Sequence, residues 1–197
     1  AIVPENSLFE NWGEIEGRSL AVAAFSQEDA LTDQRHTANY GRLSADTIQI
    51  GAAKFDNSGA IVGKNISLFV PGVYIDTESS SVAGEEIKIA AGNYFASGTT
   101  SAVGKFGGRI EIDAEQFTSM AATFDASGQF DGGTIRISSA SLQHPLYLNA
   151  HTIVDVSAAE QGGVVEILSP LSVASFATIR CDGQADGILN VPSSFAY

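Results

Sequence analysis
The feature that most limits how this chain can fold is a motif that it repeats from end to end, clearest in FDASGQFDGGTIRI, residues 124–137. The motif runs from an apolar residue through a polar one to a small residue or Asn, then through spacers marked by glycine. It closes on a triplet of apolar, polar, apolar. That triplet has the two-residue period of a strand with one face buried. Ahead of it, a glycine pair such as Gly132 and Gly133 marks a corner that leaves no room for a side chain. The repeating unit is therefore strand, corner, strand.

Copies opening at Phe9, Thr37, Phe55 and Val154 keep the same fourteen-residue register as the one at Phe124. Those opening at Ile75 and Ile179 are one residue longer and one shorter, and the one at Phe95 carries four extra residues before Gly107. Successive starts lie 28, 18, 20, 20, 29, 30 and 25 residues apart, an irregular period in the range of solenoids. Copies with one apolar order stack only if each coil returns to the same place, which predicts parallel strands about 4.8 Å apart. Antiparallel hairpins would call for two-residue Asn-Gly or Asp-Gly turns between matched strands, a pattern the regular corners do not follow.

The expected fold is all-β, a right-handed parallel β-helix of about eight coils, with the hand following the crossover rule. It takes residues 1–197 as a single domain, with the first coil from about residue 9 and the last from about 179. Excursions are expected at 23–36, 113–123, 138–153 and 168–178, placing the longer loops in the C-terminal half. The first, with Glu28, Asp29, Asp33 and Arg35, reads as a cap or exposed loop. Within the later three, Phe117, Leu142, Leu146, Leu148, Leu171 and Phe176 are expected to fold back as a third, wider face. Pro192 is expected to end pairing of the last strand.

Two apolar columns should form the best packed part of the interior. They comprise Ile48 and Ile50, Ile66 and Leu68, Ile87 and Ile89, Ile110 and Ile112, Ile135 and Ile137, Val165 and Ile167, and Leu189 and Val191. Asn11, Asn39 and Asn57 share one position in the motif, so stacked coils should join their amides into a ladder. At that position the later copies carry Thr77, Ser97, Ala126, Val156 and Cys181, so the ladder is expected to lapse and the corner to dry out.

Composition narrows the class. With 44% hydrophobic and 17% charged residues, the 197-residue chain can build one sizeable core. A net charge of −13 provides no basic face for nucleic acid and no attraction to anionic membranes. No apolar run reaches the roughly 18 residues of a membrane span. Cys181 is the only cysteine, which excludes an intrachain disulfide and a thiolate zinc site, and it reads as a small buried filler. The stretch AIVPENSLFENWG lacks a basic start followed by an apolar run, so a secretion signal is expected to have been removed or to lie upstream.

Taken together, FDASGQFDGGTIRI, VDVSAAEQGGVVEI and FDNSGAIVGKNISL resemble the repeats of filamentous haemagglutinin-like exoproteins, the large adhesins exported by two-partner secretion. The resemblance runs from Phe9 to Val191. It implies a secreted bacterial protein, extracellular or at the cell surface, that serves as a rod in attachment, cell contact or support of other domains. Its partners would be a cell-surface glycan or protein receptor. The chain is shorter than such exoproteins and lacks the NPNL-type and NPNG-type motifs of their secretion domain.

Residues of catalytic type read mostly as structure. His36, His144 and His151 fall in excursions without metal-ligand spacing. The stretch GKFGGR, with Gly104, Gly107 and Gly108, precedes a strand and so lacks the helix N-terminus of a phosphate loop. DGQADG, Asp182 to Gly187, lacks the alternating acids of a calcium loop. Glu111, Asp113 and Glu115, with Asp125 and Asp131 nearby, are the outward carboxylates that a polysaccharide lyase or hydrolase would use. The outward column Gln49, Ser67, Lys88, Glu111, Arg136, Glu166 alternates in charge from Lys88 on, which favours a paired surface face. Tyr40, Tyr74, Tyr94 and Tyr147 are too scattered in the motif to make a stacking platform. No residue is assigned a catalytic, cofactor-binding or metal-ligating role. The expected function is a non-enzymatic adhesive or structural segment able to stack end to end into a filament. A carbohydrate-active β-helix enzyme is the alternative.

Overall fold
A computed structural model describes residues 9–23, 36–171, 173–191 and 195–196. The first expected excursion and its acidic cluster, together with Pro192, lie outside the described residues apart from the strand ends Ala23 and His36. Among the described residues there are twenty strands and no helix, so none is long and apolar enough to cross a membrane.

The strands form three stacks, each passed once per rung. The first, called here the aromatic stack, runs from Phe9–Asn11 through His36–Asn39 and Lys54–Asn57. It continues in the second halves of Asn65–Asp76, Glu86–Ala96 and Arg109–Ser119, then Leu146–Leu148, Val173–Ser175 and Phe195–Ala196. The middle stack begins in the first halves of Glu14–Ala23 and Arg42–Gly51. It proceeds through Ala60–Val62, Ser81–Ala83, Thr99–Ser101, Thr123–Asp125, Ile153–Asp155 and Thr178–Arg180. The isoleucine stack takes the remaining halves of the five long strands, followed by Thr134–Ser139, Val164–Leu168 and Ile188–Asn190. Every one of these pairings is parallel. The result is a parallel β solenoid.

The isoleucine stack matches its expected register up to Leu189, while Val191 follows the last strand half-buried and unpaired in the stack. Ile66, Ile87, Ile110, Ile135, Val165 and Leu189 lie one above another, as do Leu68, Ile89, Ile112, Ile137 and Ile167. All but Leu189 are buried, as β-branched and aliphatic side chains on a one-sided pleated surface should be.

The other two stacks correct the motif alignment. Phe124, Val154 and Ile179 continue Leu43, Ile61, Val82 and Thr100 in the middle stack. Phe9, Thr37 and Phe55 belong to the aromatic stack, where they are followed by Tyr74, Tyr94 and Phe117. The shared opening of the motif thus covers two different strands. Ile75 and Phe95, read as inward openings, point outward and are 38% exposed, while the tyrosines before them are buried. Tyr74 stacks between Phe55 and Tyr94, with centroids 5.5 and 4.7 Å away, and Phe117 meets Tyr94 edge-on at 5.3 Å. This aromatic column decides the register, because offset and edge-to-face ring pairs add to what burial alone contributes.

Of the expected excursions, 113–123 is mostly strand, whereas 138–153 and 168–178 alternate short strands with longer turns. Residues 113–114, 116–119, 123, 138–139, 146–148, 153, 168, 173–175 and 178 all pair in a stack. The reason is the third face itself: Phe117, Leu146 and Leu148 bury completely, whereas Leu142 and Phe176 stay exposed on the turns between. The long loops of the C-terminal half lie instead at the corner between the middle and isoleucine stacks, at 102–108, 126–133, 156–163 and 181–187.

Candidate functional site
Three places in the solenoid bring chemistry-bearing residues together: the corner ladder, the outer face of the isoleucine stack and the ridge of long loops. The corner ladder forms as its spacing predicts. Asn11 Nδ2 donates to Asn39 Oδ1 at 2.9 Å, and Asn39 Nδ2 donates to Asn57 Oδ1 at 2.9 Å. The two amides also reach the backbone carbonyls of Arg42 and Ala60.

The next rung is Asp76, not Thr77, because Phe55 pairs with Tyr74 and so Asn57 with Asp76. Asp76 is buried, accepts hydrogen bonds from Ser80 Oγ and from Tyr94 Oη at 3.3 Å, and faces the Gly98 amide. The Asn57 amide is turned towards it but outside good hydrogen-bond geometry. Burial pushes the Asp76 carboxyl up to about 6, against the lowering effect of those donors. The same burial, reinforced by the Asp76 charge, lifts the Tyr74 and Tyr94 hydroxyls well above their ordinary range. Beyond Asp76 the position holds Ala96, Ser119, Leu148 and Ser175. It is not uniformly dry, since Ser119 and Thr152 share a buried hydroxyl bond of 2.7 Å. Ala126, Val156 and Cys181, expected in this ladder, sit at the other corner.

On the outer face of the isoleucine stack, Gln49, Ser67, Lys88, Glu111, Arg136 and Glu166 lie in one row as expected. Arg136 binds Glu111 at 2.8 Å, and Arg109 binds the other Glu111 oxygen at 3.1 Å. Lys88 turns along its own strand to Glu86 at 2.9 Å. Asp113 accepts from Ser138 and lies 3.8 Å from Arg136. Glu111 and Asp113 are thus tied to cations and a hydroxyl on their own and the neighbouring rung.

Glu115 lines an open cleft of about 470 Å³ with Asn93, Gln116 and the 140–144 turn, which brings His144 beside it. His151 is exposed on a turn where its amide binds Asn149 Oδ1 at 2.9 Å, and the side chain of His36 lies outside the described residues. Among the described residues no three His, Cys, Asp or Glu side chains converge as a metal site would require.

The ridge is a stack in its own right. Each later loop is closed at its base by one equivalent bond: Gly133 N to Ala126 O, Gly163 N to Val156 O and Gly187 N to Cys181 O, each 2.8 Å. The glycines are obligatory here. A Cβ on Gly133 would lie 2.1 Å from Gly108 O, and one on Gly163 2.1 Å from Gly133 O. Gly107, in the GKFGGR stretch, has φ 65°, a left-handed turn residue rather than part of a phosphate cradle. Asp125 and Asp155 each accept the backbone N–H two residues on, from Ser127 and Ser157 at 2.9 Å, which starts the loops as Asx turns. Asp131 pairs by its backbone with Gln161, and Phe106 tilts against Phe130 at 6.0 Å on the crest. In the DGQADG stretch, Asp182 and Asp186 are exposed on the last loop. Cys181 is half-buried, and burial together with the Asp182 and Asp155 charges raises its thiol pKa, which keeps it in the unreactive protonated form.

One aromatic pair was missed by the reading of the motif. Trp12 stacks on Tyr40 with centroids 4.0 Å apart and planes 19° apart, on the outside of the corner that the asparagine ladder fills from within. The signal available was that both follow an Asn of the ladder and precede a glycine. Tyr147 stays apart from this pair, half-buried in the aromatic stack beside Thr118. No family model, no curated protein and no solved structure matches this chain, so its functional reading rests on the geometry above.

Proposed function
We propose that this chain is a segment of an extracellular, cell-surface adhesive rod, of the kind built by the filamentous haemagglutinin-like exoproteins that its repeats resemble. In this reading it winds as a single domain of eight right-handed coils, roughly 38 Å long at the spacing of paired strands. The supporting observation is the division of labour in the solenoid. The inward rows of the isoleucine stack form an unbroken apolar axis from Leu20 and Val22 to Val165 and Ile167, and most of the variety lies at corners and outer faces. Such an arrangement supplies stiffness and a long exposed surface, which attachment needs.

Self-association in this reading engages the C-terminal rung. Such an end rung presents a row of unpaired strand N–H and C=O groups, which a second rod can extend. The test is attachment of beads coated with the purified chain to epithelial cells, against beads coated with an unrelated acidic protein. Specific, saturable attachment supports the adhesive role, and coverage no better than the control removes it. Electron micrographs of the same sample read the rod length. Turnover of polysaccharides with release of reducing or unsaturated ends would replace this reading by the enzymatic one.

A further inference from the structure
The Trp12–Tyr40 pair is built more rigidly than a chance surface contact. Asn11 and Asn39, just before the two rings, are locked in the buried ladder at 2.9 Å. The amides of Tyr40 and Gly41 both bind the Asn11 carbonyl, at 2.8 and 2.9 Å. Gly13 and Gly41, just after the rings, are packed so closely that a Cβ on Gly41 would lie 2.0 Å from the Gly13 oxygen. Backbone fixed on both sides holds the rings parallel without the entropy cost of ordering them later.

Burial would be the cheaper fate for an indole, yet Trp12 is 71% exposed. Tyr40 covers one of its faces. Around the plate lie polar groups on the same outward side. Glu10 accepts the indole N–H at 3.3 Å, and Glu14 pairs with Arg42 at 3.3 Å. Glu10 lies on the strand before the corner and Glu14 on the strand after it, each two residues from Trp12 and so within about 7 Å of it along the backbone.

A flat apolar plate with carboxylates and a guanidinium at its edge matches a pyranose ring, which offers a C–H face to an aromatic and hydroxyls to charged acceptors and donors. The two carboxylates and the net charge of −13 select against acidic sugars. We propose that Trp12 and Tyr40 form a binding plate for a neutral pyranose oligosaccharide, with Glu10, Glu14 and Arg42 taking its hydroxyls. This assignment rests on the adhesive reading above for its biological role, though not for its chemistry.

Trp12 is the only tryptophan, so its emission reports this site alone. The purified chain is titrated with lactose, methyl α-mannoside and chitotriose, with heparin as the acidic comparison. The expected result is a saturable emission shift with at least one neutral sugar and none with heparin. Affinity should fall about tenfold in Tyr40→Ala, the scale of one lost stacking partner together with the disorder of the indole it supported. On a resin bearing the same sugar, Trp12→Ala should elute unretarded and Trp12→Phe should be retained in part, with both variants checked for the wild-type circular dichroism spectrum. No response to any neutral sugar, or equal retention of Trp12→Ala, overturns the proposal. Bead attachment separates this from the adhesive reading. Attachment that survives both Trp12→Ala and periodate oxidation of the cells removes the plate from adhesion and leaves adhesion standing. Sugar binding without attachment removes adhesion and leaves the plate.

Discussion

The two halves of the solenoid hold their corners by different physical means. In the first three rungs the weight falls on the corner between the aromatic and middle stacks, filled by the side-chain amides of Asn11, Asn39 and Asn57. The corner into the isoleucine stack is crossed there inside the continuous strands Glu14–Ala23 and Arg42–Gly51, or by the short Gly63–Lys64 step. In the last rungs the stacked amides are gone, leaving single groups such as Asn149, and the second corner has grown into a ridge of loops. A polar side-chain ladder tolerates imperfect spacing because amides rotate. Glycine backbones touch at both corners, since a Cβ on Gly41 or Gly59 would also lie 2.0 Å from a backbone oxygen, so what separates the halves is the amide ladder beside the first corner and the loops above the second. The halves should therefore fail differently when disturbed.

The largest effect is expected where glycine backbones touch, as at the ridge. Gly163→Ala places a methyl group against a backbone oxygen that cannot move away, and should cost about 3 kcal/mol in denaturant unfolding. Gly13→Ala, where an added Cβ meets nothing within 4 Å, should stay within about 0.5 kcal/mol. Gly41→Ala, whose Cβ would lie 2.0 Å from the Gly13 oxygen, should cost as much as the ridge substitution, and equal losses at Gly13 and Gly163 would show that backbone contact is not the cause.

Next comes the ladder. Asn39→Ala removes the central amide and strands a buried donor on Asn11 and an acceptor on Asn57, a loss of about 2–3 kcal/mol by the same measurement. Asn39→Asp should be no better near neutral pH, since it removes the donor to Asn57 and buries a charge.

The boundary rung, Asp76, should respond in the opposite sense. Its folded carboxyl, at about 6, lies above the ordinary 3.8, so its proton is held more tightly in the folded state. The stability it contributes is complete below about pH 4 and is lost as the pH rises through about 6. Wild type should therefore unfold more easily at pH 7.5 than at pH 4.5 by an amount on the order of 2 kcal/mol from this group. Asp76→Asn should remove that slope and stabilise the protein at pH 7.5, by giving Asn57 a further amide partner. A slope unchanged in the variant would show that other groups set the pH response.

The smallest effect belongs to the outer face. Arg136→Gln breaks the ion pair to Glu111 at a partly solvated surface and should change stability by no more than about 1 kcal/mol, less in high salt. Thermal unfolding at low and high ionic strength measures it.

The isoleucine stack was legible because its period of two is local and each rung repeats it, from Ile48 to Leu189. The asparagine ladder was legible for the same reason over its first three rungs. The aromatic column was not. Tyr74 is followed by Ile75 and Tyr94 by Phe95, and a period of two cannot say which of two adjacent apolar residues points inward. Ring stacking between rungs decided it, with the kink between Val70 and Val73 setting the phase. The Trp12–Tyr40 plate was hidden similarly, because its partners lie 28 residues apart and belong to no catalytic pattern.

The amino-acid order by itself determined that this chain is all-β, repeats a strand and corner unit, and buries alternate aliphatic residues in parallel register. Those properties follow from local periodicity and from the requirement that like copies stack. Only the tertiary structure decided which strand each copy's opening belongs to. Fourteen residues between an aromatic and an isoleucine pair span two short strands at Phe55 but one strand and a protruding loop at Phe124. Residue count fixes contour length and not the path taken, and the path is chosen by packing against the rungs on either side.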